Sequence, residues 1–311
     1  MSQTALVFPG QGSQYPAMGQ WLEAIPAARA IFDRVESAGF PFRKLVFEEP
    51  EELDQTEITQ PALFTVEMAV WSALLERGIA YDAVAGHSLG EHSALVAAGV
   101  LELEEGLQIV RERGRRMGQA ARESGGSMLV VLGLEEEEVL RTLCAEASTE
   151  NETVTIANYN SPGQVVLSGH KKALERAAEM ATLAGARRLV PIRVSGAFHS
   201  PLMAPAVERF AEYLSGFSFR PPRVRFYPNV TAEPESDPER IREHLIRQIV
   251  SPVRWTETIR NMSRDGIRRF VEVGPGRVLA GLVRRTAPQA EVWTTDRQEQ
   301  LDEVIRVLAT G

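Results

Sequence analysis

The chain has 311 residues, of which 44% are hydrophobic and 24% are charged, a composition typical of a globular protein with a sizeable core. Its formal net charge of -8 argues against a general nucleic-acid binder, which would need a basic surface. The single cysteine, Cys144, excludes an internal disulfide and favours a reducing compartment.

Strand, loop and helix patterns alternate along the first part of the chain. An apolar run at residues 4–8 predicts a buried strand, which is followed by the turn-rich segment 9–14, and a second short strand is predicted at 82–85. Helical patterns lie at residues 18–37, 60–77, 89–98 and 103–121. This alternation is typical of an α/β fold with a parallel sheet.

Residues 126–195 show a different order of elements. Strands are predicted at 127–132, 153–157, 165–168 and 188–194, helices at 135–147 and 171–184, and a turn at 158–163. The order β-α-β-β-α-β is the ferredoxin-like arrangement. Strands predicted at 224–227 and 269–273 then return the chain to α/β character. We therefore predict a large domain of residues 1–125 and 196–311, interrupted by a small inserted domain of residues 126–195.

The segment Gly86-His87-Ser88-Leu89-Gly90 matches the pattern G-x-S-x-G. This pattern builds a sharp strand-to-helix turn that lifts a serine hydroxyl away from the backbone, where it can act as a nucleophile. A predicted strand precedes Ser88 and a helical pattern follows it, as the motif requires. A plain strand-to-helix turn without catalytic role is the alternative.

A serine nucleophile needs a base, and the chain has five histidines: His87, His92, His170, His199 and His244. His87 and His92 stand beside Ser88 in sequence, which does not by itself bring side chains together. His170 lies within the small domain, and His244 lies on a helix that looks exposed. His199 follows the small domain, and a cleft between two domains is a natural place for a site. Its alternative role is structural, and no Asp or Glu stands out as a third catalytic group.

The helical pattern at 103–121 carries four arginines, two of which flank its apolar stripe. At about 100° per residue, Arg111 and Arg113 fall on opposite edges of that stripe, so either could bury its stem and reach inward. Geometry alone leaves the choice open between an anion-binding arginine and a boundary arginine paired with a surface acid.

Several motifs stand in one order along nearly the whole chain. They are Phe8-Pro9-Gly10-Gln11-Gly12-Ser13-Gln14, Gly86-His87-Ser88-Leu89-Gly90-Glu91, Arg113-Gly114, Ala197-Phe198-His199-Ser200-Pro201-Leu202-Met203, Gln248 with Pro252-Val253-Arg254-Trp255, and Glu272-Val273-Gly274-Pro275-Gly276. Together they resemble the malonyl-CoA:acyl carrier protein transacylases of fatty acid synthesis and the related acyltransferase domains of polyketide synthases. The resemblance implies an α/β-hydrolase-like large domain with a ferredoxin-like insert, in agreement with the predicted elements.

The resemblance also implies roles for individual residues. Ser88 is the expected nucleophile and His199 its base, oriented by the backbone carbonyl of Gln248 instead of a carboxylate. The expected oxyanion hole is formed by the backbone N–H groups of Gln11 and Leu89. Among the two edge arginines, the resemblance selects Arg113 to bind the malonyl carboxylate through paired hydrogen bonds.

Two further residues are expected to line the substrate pocket. His92 lies one helical turn after Ser88, where many family members carry tyrosine, and could line the same face. Phe198 resembles the malonyl-selecting form of its motif, because a bulky ring there would shrink the space beside the malonyl methylene.

The resemblance implies ping-pong transfer of a malonyl group from malonyl-CoA to an acyl carrier protein, with no metal and no bound cofactor. The alternatives are a discrete acyltransferase serving a polyketide synthase, a hydrolase of carrier-bound acyl groups, and a non-catalytic carrier-binding module. Because carriers of this system are acidic, Arg187 and Arg188 are candidates for a basic docking patch. The longest apolar stretch, near residues 94–101, is too short to span a membrane, so we expect a cytoplasmic protein. We also expect a monomer.

Overall fold

The computed structural model describes residues 3–192, 194 and 196–309, which form two sheets and the helices around them. The strands are β1 (Gln3–Phe8), β2 (Ala83–Gly86), β3 (Ser127–Leu132), β4 (Val154–Ser161), β5 (Gln164–Gly169), β6 (Arg188–Ile192), β7 (Arg225–Tyr227), β8 (Ile267–Glu272) and β9 (Glu291–Thr294). The α-helices are α1 (Pro26–Ser37), α2 (Thr56–Glu76), α3 (Gly90–Ala97), α4 (Leu103–Ser124), α5 (Glu137–Ala147), α6 (Lys171–Leu183), α7 (Ala204–Leu214), α8 (Pro238–Gln248), α9 (Trp255–Arg264), α10 (Val278–Thr286) and α11 (Gln298–Ala309).

The larger sheet is parallel and runs in the order β7-β2-β1-β8-β9. Its central strand β1 is buried on both faces, which explains why residues 5–8 form an unbroken apolar run. Phe8 pairs with Gly86, so the loops that follow β1 and β2 begin side by side at one edge of the sheet. In open parallel sheets this carboxyl edge is where ligands bind.

The smaller sheet is antiparallel and runs in the order β4-β5-β3-β6. Helices α5 and α6 cover one of its faces with a separate apolar core, in which Cys144 is buried. Burial raises the pKa of the Cys144 thiol to about 12, so it behaves as a small core residue. A parallel sheet with a separate ferredoxin-like antiparallel sheet confirms the predicted fold class. The domain boundaries stay predictions, and Ser195, at the second boundary, lies outside the described residues.

Helix α2 is buried among the helices that cover the large sheet. It is the one described helix long and apolar enough to cross a membrane by length and composition, and 78% of its most apolar window is buried inside the protein. Its contacts with α1 and α4 explain this composition, because a helix surrounded by other helices is apolar all round.

Four features of the structure differ from the sequence predictions. The predicted helix 18–37 is divided into a 3₁₀ turn at Gln20–Ala24 and α1, since Pro26 has no N–H to continue the earlier turn. The predicted turn 158–163 is wrong: β4 continues to Ser161, and only residues 162–163 turn. The asparagines there suggested a loop, but the segment is held in the sheet by β5 and by Val253 on its other side. Strand β9 was not predicted, and β6 ends at Ile192, with residue 193 outside the described chain.

Candidate active site

Ser88 sits on a tight turn between β2 and α3, where the backbone has little freedom. Its φ is +52°, a left-handed conformation that is unfavourable for any residue other than glycine. A Cβ on Gly86 would lie 1.9 Å from the carbonyl carbon of Gly90, and one on Gly90 would lie 2.1 Å from the carbonyl oxygen of Phe8. Both glycines are therefore sterically required, as the nucleophile motif predicts.

The structure brings Ser88 and His199 together across the chain. The Ser88 Oγ lies 2.7 Å from His199 Nε2, and His199 Nδ1 lies 2.9 Å from the backbone oxygen of Gln248. The second contact makes Nδ1 the protonated nitrogen, which leaves Nε2 free to accept the serine proton. Burial, helped by the nearby charge of Arg113, lowers the pKa of His199 to about 3, so its ring is neutral at neutral pH.

Arg113 is the buried arginine of α4, and it points at the Ser88 hydroxyl. Its side chain is only 1% exposed, and its Nη2 donates to the Ser88 Oγ at 3.1 Å and to Gln248 Oε1 at 2.7 Å. Nη1 donates to Gln60 Oε1 at 2.7 Å. Burial lowers the pKa of Arg113 to about 10, which still leaves it charged at neutral pH. Arg111, the other edge arginine, is exposed and donates to the backbone oxygen of Ala38, so the packing of α4 separates the two.

Gln11 and Leu89 both line the cavity beside Ser88. Gln11 lies in the loop after β1, where its side chain accepts a hydrogen bond from Thr56 Oγ1 at 2.5 Å. Leu89 immediately precedes the first residue of α3, an end of the helix where backbone N–H groups are free of helical partners. Both residues therefore lie beside Ser88 at the cavity, and their role as an oxyanion hole stays a prediction.

The cavity has a volume of about 180 Å³ and opens between the two sheets. The large sheet supplies the loops that follow β1 and β2, and the small sheet supplies an apolar wall. That wall consists of Met128, Val166 and Ile192. Phe198 lines the same cavity, as predicted.

His92 does not line the cavity, so its predicted place in the pocket wall is wrong. Its side chain is fully buried, and its Nδ1 lies 3.1 Å from the backbone oxygen of Leu89. Every residue of α3 is buried, so a position one helical turn after Ser88 lies inside the protein without reaching the cavity. His244 lies on α8, a helix with exposed residues as predicted, but it is on the buried face and is only 5% exposed.

Three polar residues, Gln60, Glu91 and Asn229, and the side chain of Gln248 complete the site and were not identified from the sequence, which assigned a role only to the Gln248 backbone carbonyl. Gln60 holds Arg113, while Glu91, Asn229 and the side chain of Gln248 connect the nucleophile turn to the histidine's carbonyl partner. Only Glu91 carried a signal, because it directly follows the nucleophile motif. Asn160, which lies 2.9 Å from His87 Nε2, belongs to the segment predicted as a turn. Among the described residues, no group of three or more His, Cys, Asp or Glu side chains is arranged to hold a metal ion.

Comparison with known proteins gives matches over almost the whole chain. A family model described as "Acyl transferase domain" matches residues 5–303. The malonyl CoA-acyl carrier protein transacylase of Bacillus subtilis (strain 168) is 41% identical over 311 residues, which cover 99% of this chain and 98% of that protein.

Solved structures agree with these sequence matches. An acyl carrier protein S-malonyltransferase from Vibrio cholerae O1 has a TM-score of 0.93 at 40% identity, over 97% of this chain and 100% of that one. A malonyl-transacylase solved in complex with its type II polyketide synthase acyl carrier protein has a TM-score of 0.94 at 39% identity, over 100% of both chains. Each match names the same type of activity.

Proposed function

Because the chain belongs to the acyl transferase family, we propose that Ser88 carries the malonyl group while this acyltransferase moves it from malonyl-CoA to an acyl carrier protein. The observation that carries the proposal is the position of the Ser88 Oγ, 2.7 Å from His199 Nε2 and 3.1 Å from Arg113 Nη2. A base and a carboxylate-binding cation therefore meet at one nucleophile. The predicted family is the one to which the chain belongs.

In the first half-reaction, the Ser88 hydroxyl attacks the thioester carbonyl of malonyl-CoA. His199 Nε2 takes the hydroxyl proton, and its Nδ1–H keeps its bond to the Gln248 carbonyl oxygen. The backbone N–H groups of Gln11 and Leu89 stabilise the oxyanion. The C–S bond then breaks, the sulfur leaves as coenzyme A with the proton from His199, and malonyl-Ser88 remains.

In the second half-reaction, the phosphopantetheine thiol of the carrier attacks the ester of malonyl-Ser88. His199 takes the thiol proton and returns it to the Ser88 oxygen as the ester bond breaks. The products are malonyl carrier protein and free enzyme. No metal ion or bound cofactor takes part in either half of the proposed cycle.

Arg113 and Phe198 are the proposed sources of acyl selectivity. The guanidinium of Arg113 binds the terminal malonyl carboxylate, which acetyl and longer neutral acyl groups lack. The Phe198 ring, in the cavity wall, restricts substituents beside the methylene. Arg113 therefore selects for the charge, and Phe198 selects against branching.

The proposed docking surface for the acidic carrier includes Arg187 and Arg188. Both side chains are exposed. Arg188 is the first residue of β6, and Ile192, the last residue of that strand, lines the cavity. Positive charge at this place would attract an acidic carrier to the mouth of the cavity. The docking contribution should weaken as salt is added.

The carrier could serve fatty acid or polyketide synthesis. The similarity to a malonyl-transacylase solved with a type II polyketide synthase carrier supports the second pathway as a candidate. We further propose that the enzyme acts as a cytoplasmic monomer with no membrane association.

Intact-mass measurement tests the proposed function directly. Wild-type protein mixed with malonyl-CoA is expected to gain one malonyl group, and to lose it when a phosphopantetheinylated acyl carrier protein is added. Ser88→Ala should gain none, while Ser37→Ala, a change of an exposed helix-end serine, should load normally. A malonyl group that maps to another residue, or one that passes to water faster than to carrier, would contradict the proposal.

A further inference from the structure

Asn229 is a fully buried asparagine in the loop that follows β7, and it spans the nucleophile turn. Its Oδ1 accepts the backbone N–H of Ser88 at 2.7 Å, and its Nδ2 donates to the backbone oxygen of Gly86 at 2.6 Å. One side chain therefore bonds the turn on both sides of His87. Asn229 is not part of the cavity lining, so it does not touch the acyl group.

The turn needs such support because Ser88 is held in a left-handed conformation, at φ +52°. That conformation is unfavourable for non-glycine residues, and they keep it only where surrounding contacts enforce it. Asn229 also occupies the Ser88 N–H, which is thereby withdrawn from any part in the oxyanion hole. This leaves the neighbouring N–H of Leu89 for that task.

Asn229 is itself fixed by the groups that place the histidine. Its backbone N–H donates to Glu91 Oε2 at 3.0 Å, and the same oxygen accepts Gln248 Nε2 at 2.7 Å. Gln248 Nε2 also lies 3.0 Å from the backbone oxygen of Ser88. The nucleophile turn and the residue that orients His199 therefore share one buried network of hydrogen bonds, and such networks act as units.

We propose that Asn229 is a positioning residue for the nucleophile. It holds the Ser88 backbone in the strained turn, so that the Oγ stays within hydrogen-bonding distance of His199 Nε2. The inference rests on the proposed role of Ser88, and it adds the residue that keeps this serine in place. It makes no demand on the acyl group, so its effect should be the same for every acylating agent.

Asn229→Ala tests this assignment, with Asn261→Ala as the matched control. Asn261 also donates through its side chain to a backbone oxygen, that of Ala232, but it has no contact with the site. Asn229→Ala is expected to lower kcat by about 10–100-fold, the scale of a small misplacement of reacting groups, with KM for malonyl-CoA within about twofold of wild type. The ratio of malonyl to acetyl loading should not change, since Arg113 is untouched.

A second readout is inactivation by phenylmethylsulfonyl fluoride. This reagent modifies an activated serine and carries no carboxylate, so it does not need Arg113. Its rate should fall by a similar factor in Asn229→Ala and stay at the wild-type value in Asn261→Ala. This readout does not depend on malonyl transfer. A wild-type protein that fails to load malonate would therefore overturn the proposed function, while the sulfonyl fluoride rates would still decide the role of Asn229.

All rates are normalised to the folded fraction, measured by thermal unfolding. Asn229→Ser, which removes less volume and whose hydroxyl is too short to span the turn, is the second variant and should show the same losses. Wild-type rates in either folded variant, or a change in KM alone, would overturn the inference. Failure of both variants to fold would overturn it as well, because Asn229 would then serve stability and not the nucleophile.

Discussion

Replacing Arg113 by alanine should convert the enzyme from a malonyl-selective to an unselective acyltransferase. Arg113 Nη2 donates to the Ser88 Oγ and to Gln248 Oε1, and Nη1 donates to Gln60 Oε1. Each Nη atom carries two hydrogens, so Nη1 keeps one free. Acylation turns the Ser88 oxygen into a poor hydrogen-bond acceptor, which frees the Nη2 hydrogen that had been donated to it. These two N–H groups can bind the carboxylate of malonyl-Ser88 as a pair.

The size of the effect follows from burial. Arg113 is 1% exposed, so its loss leaves the malonyl carboxylate unpaired in a largely dry pocket. Truncating one member of a buried charge pair costs roughly 2–5 kcal/mol. Because about 1.4 kcal/mol corresponds to a tenfold change in rate, malonyl loading should fall by a factor of between about 30 and several thousand. Acetyl loading should persist or increase, because Ser88 and His199 are intact.

The assay is competition between malonyl-CoA and acetyl-CoA for Ser88, read by intact mass. Arg113→Lys should restore little, since an ammonium group cannot make the paired contacts of a guanidinium. Arg111→Ala is the matched control on the same helix, because Arg111 is exposed and its guanidinium donates to the backbone oxygen of Ala38, away from Ser88. An unchanged acyl preference in Arg113→Ala, or a switch in Arg111→Ala, would refute the reasoning.

Three other changes have defined outcomes. His199→Ala should lower turnover by roughly 10²–10⁴-fold, and a larger loss in His92→Ala, in steady-state kinetics, would show that the base is wrongly assigned. Burial raises the pKa of Glu91 from 4.5 to about 7, so ionisation of this carboxyl destabilises the fold increasingly as pH rises from about 4.5 through 7. The free energy of unfolding of Glu91→Gln, relative to that of wild type, should therefore rise by roughly 2–3 kcal/mol between pH 5 and pH 8. Thermal unfolding measures this difference, and a difference that does not depend on pH would contradict the reasoning. The double change Arg187→Glu/Arg188→Glu should weaken transfer to the carrier and reduce its salt dependence without slowing malonyl loading, and salt-independent transfer by wild type would argue against the docking surface.

Local chemistry made much of the fold readable from the sequence. Strand β3 has the predicted bounds, and the two βα turns of the small sheet lie where the alternation of apolar residues places them. The segment 158–163 was misread because its asparagines favour turns locally. Its pairing with β5 and Val253 outweighs that preference, and the pairing is made by residues remote in the chain.

For the site, the sequence by itself determined Ser88, since Gly86 and Gly90 are needed for a turn that no bulkier residue can make. Motif order then pointed to His199. Helix geometry left Arg111 and Arg113 equivalent and the family resemblance selected Arg113, while the tertiary structure supplied the physical reason: packing buries Arg113 and leaves Arg111 exposed.

Asn229 and the side chain of Gln248 carried no sequence signal at all. Their roles arise from hydrogen bonds to Ser88 and Glu91, between parts of the chain that only the packing of β7 and α8 against the nucleophile turn brings together. Residue spacing encodes contacts along one helix or turn, where geometry is local. It does not encode which buried polar atoms are hydrogen-bonded across the fold, and the bonds that fix the Ser88 turn are of this kind.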